Sequence, residues 1–487
     1  LIIMVQLNPN FISHIEKELP AHLSLDEFIS ICDKPLRKSI RVNTLKISSA
    51  EFANIMTQAG WQLQPIPWCA DGFWIDGKDD VQLGNAIEHI QGLFYIQEAS
   101  SMLPPTALFS DSVNPECVLD VASAPGSKTT QIAALMQNNG LLVANEYSAS
   151  RVKVLHANVL RMGASHTALT HFDGRVFGEY LYESFDAILL DAPCGGEGTV
   201  RKDPLALKHW DIEDVTAISE TQKDLIESAF LALKPGGTLV YSTCTLSQLE
   251  NQHICQFIQQ RYPDAVEFIS LENLFDGANK ACTKEGFLHV WPQIYDSEGF
   301  FVAKMRKTAS VERLKKQPKL QKNFPFTIAT EKQQHALKHY FADTFAIHLP
   351  QDDIIMFRDD EYWLFPAMFM PLIGKMRFQR IGLKLADTLK KGYKAKHEAI
   401  IALSTKASNN PRCITLSDTQ AQDYLMGRDI ASNTFSAAMQ KQLTDTAQGE
   451  MLVSYHNVVI GVVKHLGHRL KNNLPRDLVR DNVNLSL

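Results

Sequence analysis

Between residues 117 and 245 the chain repeats one pattern: a short apolar run ending in an acid or a small residue, then a longer amphipathic stretch. "CVLDVA" (117–122), "GLLVANE" (140–146), "TALTHFD" (167–173), "FDAILLDAPC" (185–194) and "GGTLVYSTCT" (236–245) read as strands buried on both faces. Val152, Leu155, Val159 and Met162 recur at helical spacing before Gly163. Leu225, Ile226, Ala229, Phe230 and Leu233 mark another helix, which ends at the turn "KPGG". Alternating strands and helices predict an α/β fold with a doubly wound, Rossmann-like parallel sheet. "GFLHVWP" (286–292) and "EGFFVAKMRK" (298–307) predict a closing hairpin.

Outside this core, residues 101–307, the rhythm changes. Residues 1–100 read as a small α/β domain. Within it "RKSIRVNTLK" (37–46) alternates Ile40 and Val42 with Arg41 and Asn43, predicting an outward polar face that is solvated or meets phosphate. Residues 308–325 read as a basic linker, 326–390 as an intermediate domain, and 391–487 as a compact β-rich module around "MLVSYHNVVIGVVKHLG" (451–467).

Composition narrows the class. The 487 residues are 45% hydrophobic and 21% charged, ordinary for a globular protein, with no apolar stretch long enough to span a membrane. The opening "LIIMV" is too short for a signal peptide, so the expectation is a start at Met4 and a cytoplasmic location. Eight cysteines without a CxxC pair fit free thiols and give no metal site. A net charge of −6 argues against wholesale nucleic-acid binding, yet the charge is segregated. Residues 304–322 hold eight Lys/Arg against one Glu, and residues 375–396 eight against one Asp, which tilts toward a polyanionic partner.

"DVASAPGSKTTQ" (120–131) joins a strand through a tight turn to a helix N-terminus, a geometry that receives anionic groups. It lacks the glycines of pyrophosphate loops: Ala122 and Ala124 stand where they would be. A carboxylate such as that of S-adenosylmethionine needs less room. Glu146 closes the second strand, where it would accept from ribose hydroxyls, and Asp173 closes the third, where it would accept from adenine. In a sheet of this kind the first, fourth and fifth strands are neighbours, which brings Asp191, Cys194 and Cys244 to one rim. The C5 carbon of a pyrimidine is too weak a nucleophile to take a methyl group until a thiolate adds at C6. Asp191 would hydrogen-bond N3 as charge develops, and a second thiol would help break the covalent bond afterwards. Cys117 and Cys255 read as core residues.

"DVASAPGSKTTQIA", "LLDAPCGGEGTVRKDP" and "LVYSTCTLSQLEN" resemble the motifs of the NOL/NOP/Sun family of RNA 5-methylcytosine methyltransferases, and further likeness runs to "RLKNNLPRDLVRD". The resemblance implies a class I S-adenosylmethionine-dependent methyltransferase core with an N-terminal RNA-contacting domain and a C-terminal PUA-like RNA-binding module. It implies Cys244 as nucleophile and Cys194 as the product-release cysteine. It further implies S-adenosylmethionine held by Ala122, Ser123, Ala124, Pro125, Gly126, Ser127, Lys128, Glu146, Asp173 and Asp191. Asp191 thus has two roles, donor contact and base activation. Gly195 stands where the family has Ser, a lost hydroxyl expected to loosen the loop or reorient Cys194. The expected partner is small-subunit ribosomal RNA or the subunit itself, met by a monomer, with no DNA, membrane or metal. The target cytosine must leave its stack, which favours an exposed nucleotide. Three alternatives stay open: another RNA as substrate, a DNA-type enzyme with Cys194 as nucleophile, and an inactive RNA-binding assembly factor.

Overall fold

The computed structural model describes residues 7–76, 82–111, 114–404 and 410–483. The N-terminal region carries an antiparallel sheet of β1 (Ser39–Val42), β2 (Gln62–Ile66), β3 (Cys69–Asp76) and β4 (Phe94–Ile96), ordered β2-β3-β1-β4. The polar face expected of Arg41 and Asn43 meets neither water nor phosphate, because both side chains are buried. β1 is a central strand lying against the catalytic core, so they find partners both there and within the N-terminal region. Arg41 donates from Nε to Gln97 Oε1 (2.8 Å) and from Nη2 to Thr130 Oγ1 (2.9 Å), and Asn43 Nδ2 donates to the Met162 carbonyl (2.8 Å). The helices Pro9–Glu18 and Leu25–Cys32 pack through Phe11, Ile15 and Phe28 on Val200, Leu207, Leu246 and Trp291.

The apolar runs form β5 (Cys117–Asp120), β6 (Leu141–Asn145), β7 (Thr167–Thr170), β8 (Phe185–Asp191) and β9 (Leu233–Thr243), parallel and ordered β9-β8-β5-β6-β7. Successive residues serve opposite layers: Leu119, Leu141 and Val143 lie in one apolar cluster, Val118, Leu142 and Ala144 in the other. That is why these strands read as continuous apolar runs rather than alternating ones. Beyond β9 come β10 (Val266–Ile269), β11 (Leu288–Val290) and β12 (Phe300–Lys307), in which β12 pairs antiparallel with β9, β10 and β11. The predicted hairpin is thus β11–β12. "KPGG" interrupts the β8–β9 ladder: Phe185 pairs with Leu233 and Ala187 with Thr238, so residues 234–237 loop out. The predicted helix is Ala149–Met162, ended by Gly163 at φ 75°, a conformation that favours glycine.

A second antiparallel sheet contains β13 (Thr327–Ile328), β14 (Ile354–Arg358) and β15 (Glu361–Phe365), packed with the helix Glu331–Phe345, whose first turn is fixed by reciprocal Thr330–Gln333 bonds. β16 (Arg380–Ile381) leaves that sheet and pairs antiparallel with β7, so the region after the basic linker extends the catalytic sheet. β17 (Leu383–Thr388) and β18 (Tyr393–Ala395) return to it as a hairpin. The division expected at 390/391 falls in the turn of this hairpin, and the helix His397–Leu403 shares an apolar cluster both with it and with Cys413, Leu452, Val459 and Val462 of the last module. The last module is a five-stranded sheet of β19 (Cys413–Thr415), β20 (Ile430–Ala431), β21 (Gly449–Tyr455), β22 (Val458–His465) and β23 (Arg469–Asn472). Among the described residues no helix is long and apolar enough to cross a membrane, and no cluster of ligating side chains could hold a metal.

Candidate active site

The ends of β5, β8 and β9 share one rim. The loops after β8 and β9 bring the Cys194 and Cys244 sulfurs to 3.3 Å, both half-buried. A backbone bond laces these loops together, Gly198 N–H donating to the Cys244 carbonyl, and Gly299 N–H, just before β12, donates to the Gly198 carbonyl, each 2.9 Å. At the end of β8, Asp191 Oδ2 pairs with Lys128 Nζ at 2.7 Å and Oδ1 accepts from Ser242 Oγ at 2.7 Å. Burial works against the Lys128 charge, but the Asp191 carboxylate outweighs it and keeps the ammonium group's pKa above the usual lysine range.

Cys194 is held well above the usual thiol range, first by its bond to Cys244, then by burial and by the negative charges of Cys244, Glu250 and Asp191. Either sulfur can donate the hydrogen bond between them. Glu250, which the sequence reading left without a role although it lies in "LSQLEN", organises this loop. Its Oε2 accepts from Gly195 N–H (2.9 Å) and from Gln222 Nε2 (2.8 Å), and its Oε1 accepts from Thr245 Oγ1 (3.2 Å). Burial pushes the Glu250 carboxyl up to about 7. The Gly195 N–H is tied to Glu250, and a Cβ there would stand 2.9 Å from Glu250 Oε1. Glycine makes room for the carboxylate.

The turn after β5 runs through Ala122, Ser123, Ala124 and Pro125 to Gly126, whose φ of 107° suits glycine, and Ser127 and Lys128 open the helix Ser127–Leu135. No side chain caps that helix, so its first amides point into the turn. Glu146, buried at the end of β6, accepts from Ala124 N–H (3.2 Å) and Ser148 N–H (2.8 Å). Asp173 is turned toward Arg175, with Nη2 at 2.6 Å, and that pair holds its carboxyl below the usual range. Two buried residues went unnoticed in sequence. Asn145 donates from Nδ2 to the Val121 and Phe172 carbonyls, both 2.9 Å, and so ties three strand ends. Asp120 accepts from Thr129 Oγ1 at 2.7 Å under the turn, and burial raises its carboxyl to about 7. Cys117 and Cys255 are core residues, as read.

Residues 107–306 match the family model for the 16S rRNA methyltransferase RsmB/F, and residues 7–99 that for the N-terminal domain of 16S rRNA methyltransferase RsmF. Residues 326–403 match the pre-PUA domain of ribosomal RNA small subunit methyltransferase F, and 411–480 the methyltransferase RsmF PUA domain. Ribosomal RNA small subunit methyltransferase F of Shewanella frigidimarina (strain NCIMB 400) is 82% identical over 484 residues, covering 99% of this chain and 100% of that protein. The chain belongs to the ribosomal RNA small subunit methyltransferase F family. A member from Shewanella oneidensis is 68% identical over 480 residues, covering 99% of this chain and 98% of its own length. Among solved structures, a methyltransferase homolog from Pyrococcus horikoshii is 33% identical with a TM-score of 0.51, covering 62% of this chain and all of that one. The structure of NSun6 from Pyrococcus horikoshii with SFG has a TM-score of 0.53 at 21% identity, over 62% of this chain and 99% of that one, a likeness of fold. The Rossmann-like methyltransferase core flanked by an N-terminal domain and a PUA module is thus the family's architecture.

Proposed function

We propose that the protein is an S-adenosylmethionine-dependent methyltransferase that methylates C5 of a cytosine in small-subunit ribosomal RNA through a covalent bond between Cys244 and C6. The observation that carries this reading is the pair of sulfurs 3.3 Å apart beside the Lys128–Asp191 ion pair. Relatives covering nearly the whole chain carry the name of a ribosomal RNA small subunit methyltransferase, which supports that substrate over other RNA, over DNA and over an inactive assembly factor.

The residues of the turn fit S-adenosylmethionine. Uncapped amides at a helix N-terminus suit its carboxylate, and the buried Glu146 suits its ribose hydroxyls. When bound, it supplies an electrophilic methyl group.

Two features support Cys244 as nucleophile: its sulfur shares a hydrogen bond with Cys194 at 3.3 Å, and Lys128, kept charged beside Asp191, provides the cation that favours a thiolate there. Addition at C6 forms the C–S bond and places an electron pair at C5, which takes the methyl group. The bonded Cys244 sulfur is no longer an anion, so the main cause raising Cys194 is gone. Cys194 then gives its proton to solvent and, as thiolate, takes the C5 proton, while the C5–H electrons re-form the C5–C6 double bond and the C6–S bond breaks to return Cys244 as thiolate, so one proton leaves per methyl transferred. Asp191, with both oxygens engaged by Lys128 and Ser242, positions that cation at the base.

The test compares Cys194→Ala with Cys244→Ala on small-subunit RNA with S-adenosylmethionine, read as a protein–RNA adduct on a denaturing gel. Adduct accumulating in Cys194→Ala and absent from Cys244→Ala is the expected result. Adduct that requires Cys194 inverts the assignment and places the chemistry with DNA-type enzymes.

A further inference from the structure

The end of the first basic run meets the chain just before the second. Gln321 N–H donates to the Gly374 carbonyl at 2.7 Å, and beside this contact opens a cleft of about 380 Å³. Phe324, Phe326, Trp363 and Phe378 contribute aromatic walls, Arg358, Arg377 and Arg380 contribute charge, and no carboxylate is among its lining residues. That volume lies within the range of small-ligand sites, about 300–1,000 Å³.

The arginines are held rather than floating. The Arg358 guanidinium lies 4.5 Å from the Phe326 ring centre, and that of Arg380 lies 5.0 Å from Trp363. Arg380 Nε and Nη2 are buried without a hydrogen-bond acceptor, and Glu398 is its ion-pair partner at 3.5 Å. The protein therefore satisfies this charge incompletely, and burial lowers its pKa. Arg377 is exposed and, among the described residues, forms no ion pair.

The cleft's position follows from β16. Arg380 pairs with Leu169 of antiparallel β7, and Thr170 Oγ1 donates to the Arg377 carbonyl at 3.1 Å. Arg377 thus lies toward the C-terminal end of β7, the end that continues to Asp173 and belongs to the rim of the active site.

We propose that this cleft binds one unpaired nucleotide of the substrate RNA, its phosphate on Arg377 with Arg380 behind and its base against the phenylalanine faces. The proposal rests on the reading of the protein as an RNA methyltransferase and adds a subsite to it. Aromatic faces beside arginine recognise splayed single-stranded bases, whereas a duplex keeps its bases stacked and out of reach.

The test uses the full chain, wild type, Arg377→Glu and Arg377→Lys, with melting temperatures confirming the fold. Arg377 is exposed and unpaired, so its replacement leaves the core intact. The probe is a fluorescent single-stranded oligoribonucleotide, beside a duplex of the same sequence. Arg377→Glu is expected to weaken single-strand binding at least about fivefold and lower its salt slope by about one, with duplex binding unchanged and partial recovery in Arg377→Lys. Single-strand affinity within twofold of wild type overturns the proposal. Methyl transfer by the wild type to small-subunit RNA is scored separately. Transfer with unchanged Arg377→Glu binding removes the cleft and keeps the enzyme, and lost binding without any wild-type transfer keeps the cleft and removes the enzyme.

Discussion

Cys194 and Cys244 lie 3.3 Å apart, sulfur to sulfur, although fifty residues separate them in the chain. The bond to Cys244 is the first cause of the raised Cys194 pKa. Cys244→Ala is therefore expected to let Cys194 ionise at lower pH. Alkylation of Cys194 by iodoacetamide, followed by mass spectrometry across pH 6 to 10, would show its midpoint moving down. An unchanged midpoint would mean that burial alone sets it.

Glu250 couples stability to pH. Its carboxyl titrates near 7 in the fold against an ordinary value of 4.5, so the unfolded chain ionises first. The stabilisation is full below about 4.5 and is lost as pH rises through 7, amounting to about 3 kcal/mol at most. Glu250→Gln lacks this titration. Urea midpoints at pH 5.5 and 8 are expected to fall less in the variant than in the wild type; equal falls would remove Glu250 from the pH response.

Gly198 is expected to tolerate no side chain. A Cβ there would stand 2.1 Å from the Gly299 carbonyl oxygen, a backbone atom that cannot rotate away. Gly198→Ala should destabilise the chain by about 1–3 kcal/mol and, by pushing the Cys194 loop away from the segment before β12, reduce methyl transfer more than its stability loss explains. Melting and single-turnover rates measured together check this.

Lys128 should matter for rate more than for fold. Replacing it with Met removes the cation beside Asp191 and Cys244, and methyl transfer is expected to drop about 10²–10³-fold, the usual range for a lost electrostatic contact in an active site. A drop smaller than tenfold in single-turnover rate would place the Lys128–Asp191 pair outside the chemistry.

Buried carboxylates and asparagines are where reading the sequence stopped. Glu250 stood in a recognised motif, but nothing in "LSQLEN" announces that its carboxylate accepts from a glycine 55 residues earlier. Asn145 looked like any residue before a strand-end acid, yet it ties three strand ends. Arg41 alternated with Ile40 and Val42 as a surface residue would. Alternation reports that one face differs from the other, and a polar face that docks on a second domain has the same pattern as a wet one.

Local pattern was enough for the five parallel strands, the Gly163 stop, the turn at Gly126 and the two cysteine loops. Their signals are short-range: apolar runs, helical spacing and residues whose backbone conformation is restricted. Three-dimensional packing alone decided which domains touch. It set β1 against the catalytic core, sent β16 to the edge of β7, and carried the sheet of the intermediate domain past residue 390. These contacts join segments many residues apart, and their free energy comes from burying surfaces together. No window of sequence contains both partners, so Phe324 and Phe326, Arg358 and Trp363, and Arg377 and Arg380 became one cleft only in the fold.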